Sequence, residues 1–253
     1  MQNQKKARFW EIDALRGCAI LMMITYHVLY DLWFFGLVPV NVHTGFWRYW
    51  AFSTAGLFLF LVGVSLTISR SRYPGAMPAE LYRKFAVRGA GLFLLGMGIT
   101  AVTWIYPGRG FILFGILHSI GLSIIIAPLF FRLRRANLVL GALVIAAGGW
   151  VASIEGPLWL LWIGIHPATF VSFDYEPLVP WFGVVLLGLY AGATVFPDGR
   201  RRIRFPTIAP LPVVPLCMLG RHSLLLYILH QPVIIAILYL LAEFGGIFPG
   251  YPG

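Results

Sequence analysis

The chain has 253 residues, of which 59% are hydrophobic and only 11% are charged, and its formal net charge is +10. Soluble domains carry about 25% charged residues, so this composition excludes an ordinary soluble enzyme and a disordered chain. The basic residues lie between apolar stretches long enough to cross a bilayer, which argues against a nucleic-acid binder. We therefore expect an all-α, polytopic helical bundle in a membrane.

The apolar stretches predict about seven transmembrane helices that form one domain over residues 1–253. Their expected ranges are 16–38, 50–68, 90–106, 112–131, 138–154, 180–196 and 222–242. Between them we expect a basic loop at 70–88, a long apolar loop at 155–179 and a basic, proline-rich loop at 197–219. The sequence shows no internal repeat and no separate soluble domain.

The positions of Lys and Arg predict how the bundle is oriented. Every such residue except Arg48 and Arg109 falls on the same side as the N-terminus. The positive-inside rule therefore places the N-terminus in the cytoplasm and the C-terminus outside, in a multi-pass protein of the cell membrane. The net charge is mainly a consequence of this topology, and contact with anionic lipid headgroups accounts for it without any substrate.

The first predicted span carries Arg16, His27 and Asp31 on one helical stripe. The eleven-residue step from Arg16 to His27 is three turns plus about 20°, and His27 and Asp31 are four residues apart. A carboxylate beside an imidazole fixes the tautomer of the ring and raises its basicity, as it does for a catalytic base. The same pair could also line one cavity, or simply hold two helices together.

Two further histidines, His118 and His230, fall at a similar predicted depth in the fourth and seventh spans. Ionisable side chains inside a membrane are costly, so they indicate either a function or a satisfied polar network. The residues that could converge with His27 on one polar centre are His118, Tyr227, His230 and Gln231. For His118 and His230 an interhelical hydrogen bond is the alternative interpretation.

Polar residues in the predicted outer loops form a second group of candidates. His43 lies among aromatic residues at the expected mouth of the site, although an outer-loop histidine is often only solvated. His166, Asp174 and Glu176 are weaker candidates in the loop 155–179, which is either an interfacial segment or a lid. Three histidines on three helices are a weak zinc signal, and no metal is predicted.

Four motifs carry a family resemblance. They are LRG at 15–17 followed by YHVLYDL at 26–32, the stretch from His43 through FLFLVG at 58–63, FGILHSIG at 114–121, and LGRHS at 219–223 with HQP at 230–232. The ten residues between Arg16 and His27 resemble the Arg-X10-His signature of transmembrane acyltransferases. The fuller set resembles the small prokaryotic members of the heparan-alpha-glucosaminide N-acetyltransferase catalytic-domain family, over most of the chain.

The resemblance implies that an acetyl group passes from cytoplasmic acetyl-CoA to an amino sugar or hydroxyl acceptor across the membrane. The lysosomal members imply His43 as the catalytic residue, whereas the wider Arg-X10-His group implies His27, with Asp31 stabilising its imidazolium. Direct transfer and a covalent acetyl-histidine both stay open. The cations expected to bind the phosphates of acetyl-CoA are Arg16, Arg83, Lys84, Arg88 and Arg221.

Two other classes of function fit the same residues. A proton-coupled transporter would use His27, Asp31, His118 and His230 as a relay, although no inverted repeat supports a transporter. A membrane scaffold would use them only as a buried polar network. We expect lipid as a partner and no nucleic acid, and a homo-oligomer stays open.

Overall fold

The computed structural model describes residues 8–75, 77–202, 206 and 208–245. Lys5, Lys6 and Arg204, which belong to the predicted inner charge, lie outside the described residues. The α-helices in the described part are α1 (Trp10–Phe34), α2 (Gly45–Ser71), α3 (Pro78–Ile105), α4 (Ile116–Ile126), α5 (Ala136–Ala152), α6 (Leu178–Val195), α7 (Val214–Arg221) and α8 (Ser223–Gly245).

The helices confirm the predicted all-α membrane bundle. Within the described ranges, α1, α2, α3, α6 and α8 are long and apolar enough to cross a membrane. The two remaining predicted spans form shorter helices, since α4 has 11 residues before a four-residue 3-10 turn and α5 has 17. The described residues contain no β-strand, only two isolated bridges.

The proline-rich loop expected at 197–219 needs a correction, because its second half is helical. Helix α7 begins at Val214, and Pro215 occupies its first turn. Proline is tolerated there because the first backbone N–H groups of a helix have no intrahelical partner. The final predicted span then begins as a separate helix at Ser223.

The chain divides into two compact units, with the boundary inside α2. The first unit comprises Met1–Phe58 and Pro206–Gly253, and the second comprises Leu59–Phe205. The first unit therefore contains α1, the start of α2, α7 and α8. The second contains the rest of α2 with α3 to α6.

In the first unit, α7 packs backbone to backbone against the start of α1. A Cβ atom on Gly17 would overlap the carbonyl of Leu216, and one on Gly220 would overlap the carbonyl of Asp13. Buried Cys217 adds a contact from its Sγ to the carbonyl of Trp10, at 3.4 Å. These small residues let α7 approach α1 closely, as in other membrane helix pairs.

The C-terminal end of α1 is closed by a glycine turn. Gly36 has φ +73°, its N–H donates to the carbonyl of Trp33, and the N–H of Leu37 donates to the carbonyl of Leu32. This is a Schellman motif, for which glycine is the favoured residue because φ is positive. It ends the helix and begins the loop that carries His43.

In the second unit, three glycine pairs let helices touch through their backbones. These pairs are Gly63 with Gly188, Gly89 with Gly121, and Gly141 with Gly183. They join α2 to α6, α3 to α4, and α5 to α6. The second unit is thus held by the close helix packing that is typical of membrane bundles.

Candidate active site

Helix α1 carries the predicted stripe through the first unit. Arg16 is near the start of the helix, and His27 and Asp31 lie in its C-terminal half. The rise from Arg16 to His27 is about 16 Å at 1.5 Å per residue. The helix therefore presents a cationic group and an imidazole at two well-separated levels.

The ring of His27 is held by its own helix. Its Nδ1 lies 2.9 Å from the carbonyl oxygen of Met23, one turn earlier. A carbonyl can only accept, so Nδ1 carries the proton and Nε2 carries the lone pair. The neutral ring is therefore fixed in the tautomer in which Nε2 can act as a base.

Asp31 binds Gln231 rather than the His27 ring. The side-chain Nε2 of Gln231 donates to both carboxylate oxygens of Asp31, at 2.9 Å each. Asp31 is only 4% exposed, so this pairing satisfies a buried carboxylate. The expected contact of Asp31 with the imidazole is thus replaced by one between α1 and α8, because Nδ1 of His27 is already bonded to Met23.

His230 lies directly beside His27. Their ring centroids are 4.6 Å apart at an interplanar angle of 80°. Nδ1 of His230 donates to the carbonyl of Tyr227 at 2.6 Å, and the Tyr227 ring is also near, at 5.6 Å. We call His27, Asp31, Tyr227, His230 and Gln231 the histidine centre.

Pro232 follows the histidine centre inside α8. A proline has no N–H, so the carbonyl of Ile228, four residues earlier, loses its helical partner. The first unit therefore has a backbone carbonyl without its helical N–H partner, within one turn of the α8 side chains of the histidine centre. Such a group is tolerated within a membrane where it lines a cavity or has polar neighbours.

His43 belongs to the same unit but is exposed in the loop between α1 and α2. Its ring packs edge-on against Trp33, at 4.9 Å between centroids, and against Tyr30, at 5.7 Å. Tyr30 lies three residues after His27 on α1, which is about one helical turn. His43 therefore contacts a residue that is one turn from the other candidate histidine. Both candidates for the catalytic histidine therefore lie on or beside the C-terminal half of α1.

His118 lies in the second unit, at the start of α4, and both of its ring nitrogens have partners there. The backbone N–H of Gly115 donates to Nδ1 at 3.2 Å, and Nε2 lies 3.4 Å from Oγ1 of Thr100. That hydroxyl in turn donates to the carbonyl of Ile112 at 2.6 Å. This network matches the interhelical hydrogen bond that was one of the two interpretations of His118.

A cluster of arginines surrounds Asp13 at the start of α1. Nε of Arg8 lies 2.6 Å from Asp13, Nε of Arg221 lies 3.5 Å away, and Nη1 of Arg16 lies 3.6 Å away. The Asp13 side chain is 3% exposed, whereas those of Arg8 and Arg221 are about half exposed, at 57% and 48%. We call these four residues the arginine cluster.

A cavity of about 320 Å³ opens at the arginine cluster. Its lining residues are Arg8, Trp10, Ile208, Ala209, Val214 and Arg221. Three guanidinium groups against one carboxylate leave a net positive charge, and guanidinium geometry suits phosphate. The first unit therefore offers a cationic pocket next to the predicted inner end of α1.

The other predicted cations lie in the second unit. Arg83, Lys84 and Arg88 are exposed on α3, and the ammonium group of Lys84 sits 3.4 Å above the ring of Tyr73. Sequence reasoning missed Arg8 and Asp13. The three-residue step from Asp13 to Arg16, which brings opposite charges together on a helix, is the signal that could have found them.

The carboxyl groups of the long loop also lie in the second unit. Oδ2 of Asp174 accepts the N–H of Ile116 at 2.9 Å, at the first turn of α4. Burial raises the pKa of Asp174 to about 6, and burial together with Asp174 raises the pKa of Glu176 well above its usual value. Asp174 thus caps α4, and this contact closes the loop onto that helix.

The described residues define an integral membrane protein with two adjacent intramembrane histidines and a cationic pocket in one unit. The family model described as heparan-alpha-glucosaminide N-acetyltransferase, catalytic, matches residues 8–232. The chain belongs to this family, which makes it a membrane acetyltransferase and confirms the resemblance found in the motifs. Searches of curated proteins and of solved structures found no match.

Proposed function

We propose that the protein transfers an acetyl group from acetyl-CoA, bound at the cytoplasmic face, to the amino or hydroxyl group of an amino sugar or glycan. The acceptor binds at or beyond the outer side of the cell membrane, which the chain crosses several times. The observation that carries this proposal is the histidine centre, where His27 presents a basic Nε2 atom beside His230.

His27 is the proposed general base. Its Nε2 takes the proton of the acceptor amine or hydroxyl as that group attacks the acetyl carbonyl. The C–S bond then breaks, coenzyme A leaves as its thiolate, and the imidazolium returns the proton to that sulfur. The imidazolium that forms keeps its Nδ1–H bond to Met23, so the ring does not have to reorient. Asp31 lies one turn away on α1 and lends its charge through the field rather than through a direct hydrogen bond.

The arginine cluster is the proposed site for the phosphates of the donor. Arg16 and Arg221 were expected from the sequence. Arg8 and Arg221 line the cavity, and Arg16 joins them through its ion pair with Asp13. The rise of about 16 Å from Arg16 to His27 is a distance that an extended pantetheine arm can bridge. Arg83, Lys84 and Arg88 stay proposed contributors from the second unit.

His43 is the proposed alternative to His27. It is exposed beside Trp33 and Tyr30, where an acceptor entering from outside would meet it. The proton-relay alternative has less support, because His118 is bonded within its own unit on both ring nitrogens.

The test is acetyl transfer by the purified full chain in detergent, with radiolabelled acetyl-CoA and glucosamine. We expect labelled product from the wild type and from His43→Ala, but not from His27→Ala. His222→Ala is the matched control, because His222 also binds a carbonyl one turn earlier, that of Met218, but is exposed at the end of α7. If His43→Ala gave no product and His27→Ala were active, the general base would be His43 instead of His27.

A further inference from the structure

Two buried hydrogen-bond acceptors on α8 have no partner within the described part of the chain. They are Nε2 of His230 and Oε1 of Gln231, which are consecutive residues. Buried polar atoms in native proteins are nearly always paired, so each exception calls for an explanation. Here the two exceptions adjoin the proposed base, His27.

The neighbouring bonds establish that both atoms accept rather than donate. Nδ1 of His230 gives its proton to the carbonyl of Tyr227, which leaves the lone pair on Nε2. The amide nitrogen of Gln231 faces both oxygens of Asp31, and a carboxylate can only accept. Oε1 of Gln231 is therefore the amide atom that is left for another partner.

His27 adds a third acceptor to the same place. Its Nε2 also carries a lone pair, and its ring is 4.6 Å from that of His230. The donor groups of all three side chains are already used by Met23, Tyr227 and Asp31. A ligand that satisfies this centre must itself bring several N–H or O–H groups.

We infer that His230 and Gln231 determine acceptor specificity by binding a second donor group next to the group that is acetylated. The acceptor is then a vicinal amino alcohol or vicinal diol, as in a sugar, and a simple monofunctional amine is a poor substrate. This inference rests on the proposed function, in which His27 receives the proton. His230 and Gln231 take no part in making or breaking bonds.

The first test compares two acceptors with the wild-type chain in detergent. Trans-2-aminocyclohexanol carries an amine with a neighbouring hydroxyl, and cyclohexylamine carries the amine alone. We expect kcat/KM to favour the amino alcohol by about 100-fold or more, because the monofunctional amine leaves buried acceptors unpaired. A ratio near one would overturn the inference even if no variant can be purified.

Two variants test which residues produce the preference. Gln231→Met keeps the length of the side chain but removes Oε1, together with the NH₂ group that pairs with Asp31. The ratio should fall at least about tenfold, mainly through KM of the amino alcohol. Asp31→Asn lets the new amide donate to Oε1 of Gln231, which turns the Gln231 NH₂ toward the ligand. A lost preference in both variants supports hydrogen bonding, whereas a merely structural role would leave the ratio unchanged.

Tyr239→Phe is the matched control, because Tyr239 is exposed further along α8. Its acceptor ratio should equal that of the wild type. Absence of acetylation with every amine, glucosamine included, would overturn the proposed function. Equal use of both cyclohexane acceptors by an active enzyme would overturn only the role of His230 and Gln231.

Discussion

The helical histidines of the two units differ in which ring nitrogens are left for a ligand. In the first unit, His27 and His230 each donate Nδ1–H to a backbone carbonyl, and Nε2 of each ring keeps its lone pair. In the second unit, His118 accepts at Nδ1 and meets Thr100 at Nε2, so neither nitrogen is left over. The histidines thus have similar predicted depths but different roles. His27 and His230 keep a nitrogen that can take part in the reaction, whereas His118 holds its helix to its neighbours.

The largest expected effect is on catalysis, at His27. His27→Ala should lower kcat by about 10²- to 10⁴-fold, which is the usual loss when a general base is removed. Its midpoint of thermal unfolding should change little, because the ring makes one hydrogen bond within its own helix. Steady-state rates and unfolding in the same detergent check both halves of this prediction.

The comparison would fail if His118→Ala lost as much kcat as His27→Ala in a folded sample. Such a result would give His118 a role in the reaction and would favour the proton-relay alternative. Unfolding curves recorded beside the rates separate this outcome from simple loss of folded protein.

The second effect concerns the arginine cluster and acetyl-CoA. Arg221→Gln should raise KM for acetyl-CoA about tenfold or more with kcat nearly unchanged, because a charge-assisted hydrogen bond to phosphate is lost. Arg135→Gln is the matched control, since Arg135 is an exposed arginine just before α5 and belongs to the second unit. Equal KM values in the two variants would favour the alternative that these cations serve only topology and lipid contact.

The third effect is on stability, at His118. His118→Ala leaves the N–H of Gly115 without its acceptor and removes one of the partners of Thr100, which keeps its bond to the carbonyl of Ile112. We expect a loss of about 1–3 kcal/mol in the free energy of unfolding, with KM of both substrates unchanged in the folded fraction. Thermal unfolding in detergent, compared with His27→Ala, measures the difference between the two histidine environments.

Part of the histidine centre could be predicted from residue spacing on single helices. The stripe of Arg16, His27 and Asp31 lies on α1, and His230 reaches His27 as one of the expected arrangements. The partner of Asp31 could not be predicted, because Gln231 is 200 residues away and a four-residue spacing only places two side chains on one face.

The other features could not be predicted from the sequence because they depend on short elements and on contacts between distant residues. Helix α7 has eight residues within a proline-rich stretch, so no long apolar run marked it. Its Gly220 contact with Asp13 carries Arg221 into the cluster, and this depends on tertiary packing rather than on local pattern. His118 and His230 look equivalent in the sequence because hydrogen-bond partners decide between them.

The smallest effect is a pH dependence of stability from the loop carboxyls of the second unit. The pKa of Asp174 rises on folding from 3.8 to about 6 because of burial, so the native state binds its proton more tightly than the unfolded chain does. Its contribution to stability is therefore largest below about pH 4 and declines as pH rises to about 6. Asp174→Asn resembles the protonated form and should flatten this part of the curve. Asp198→Asn is the matched control, because Asp198 is exposed and its left-handed backbone suits Asn. Unfolding midpoints between pH 4 and 7 that fall equally in both variants would show that Asp174 is not the titrating group.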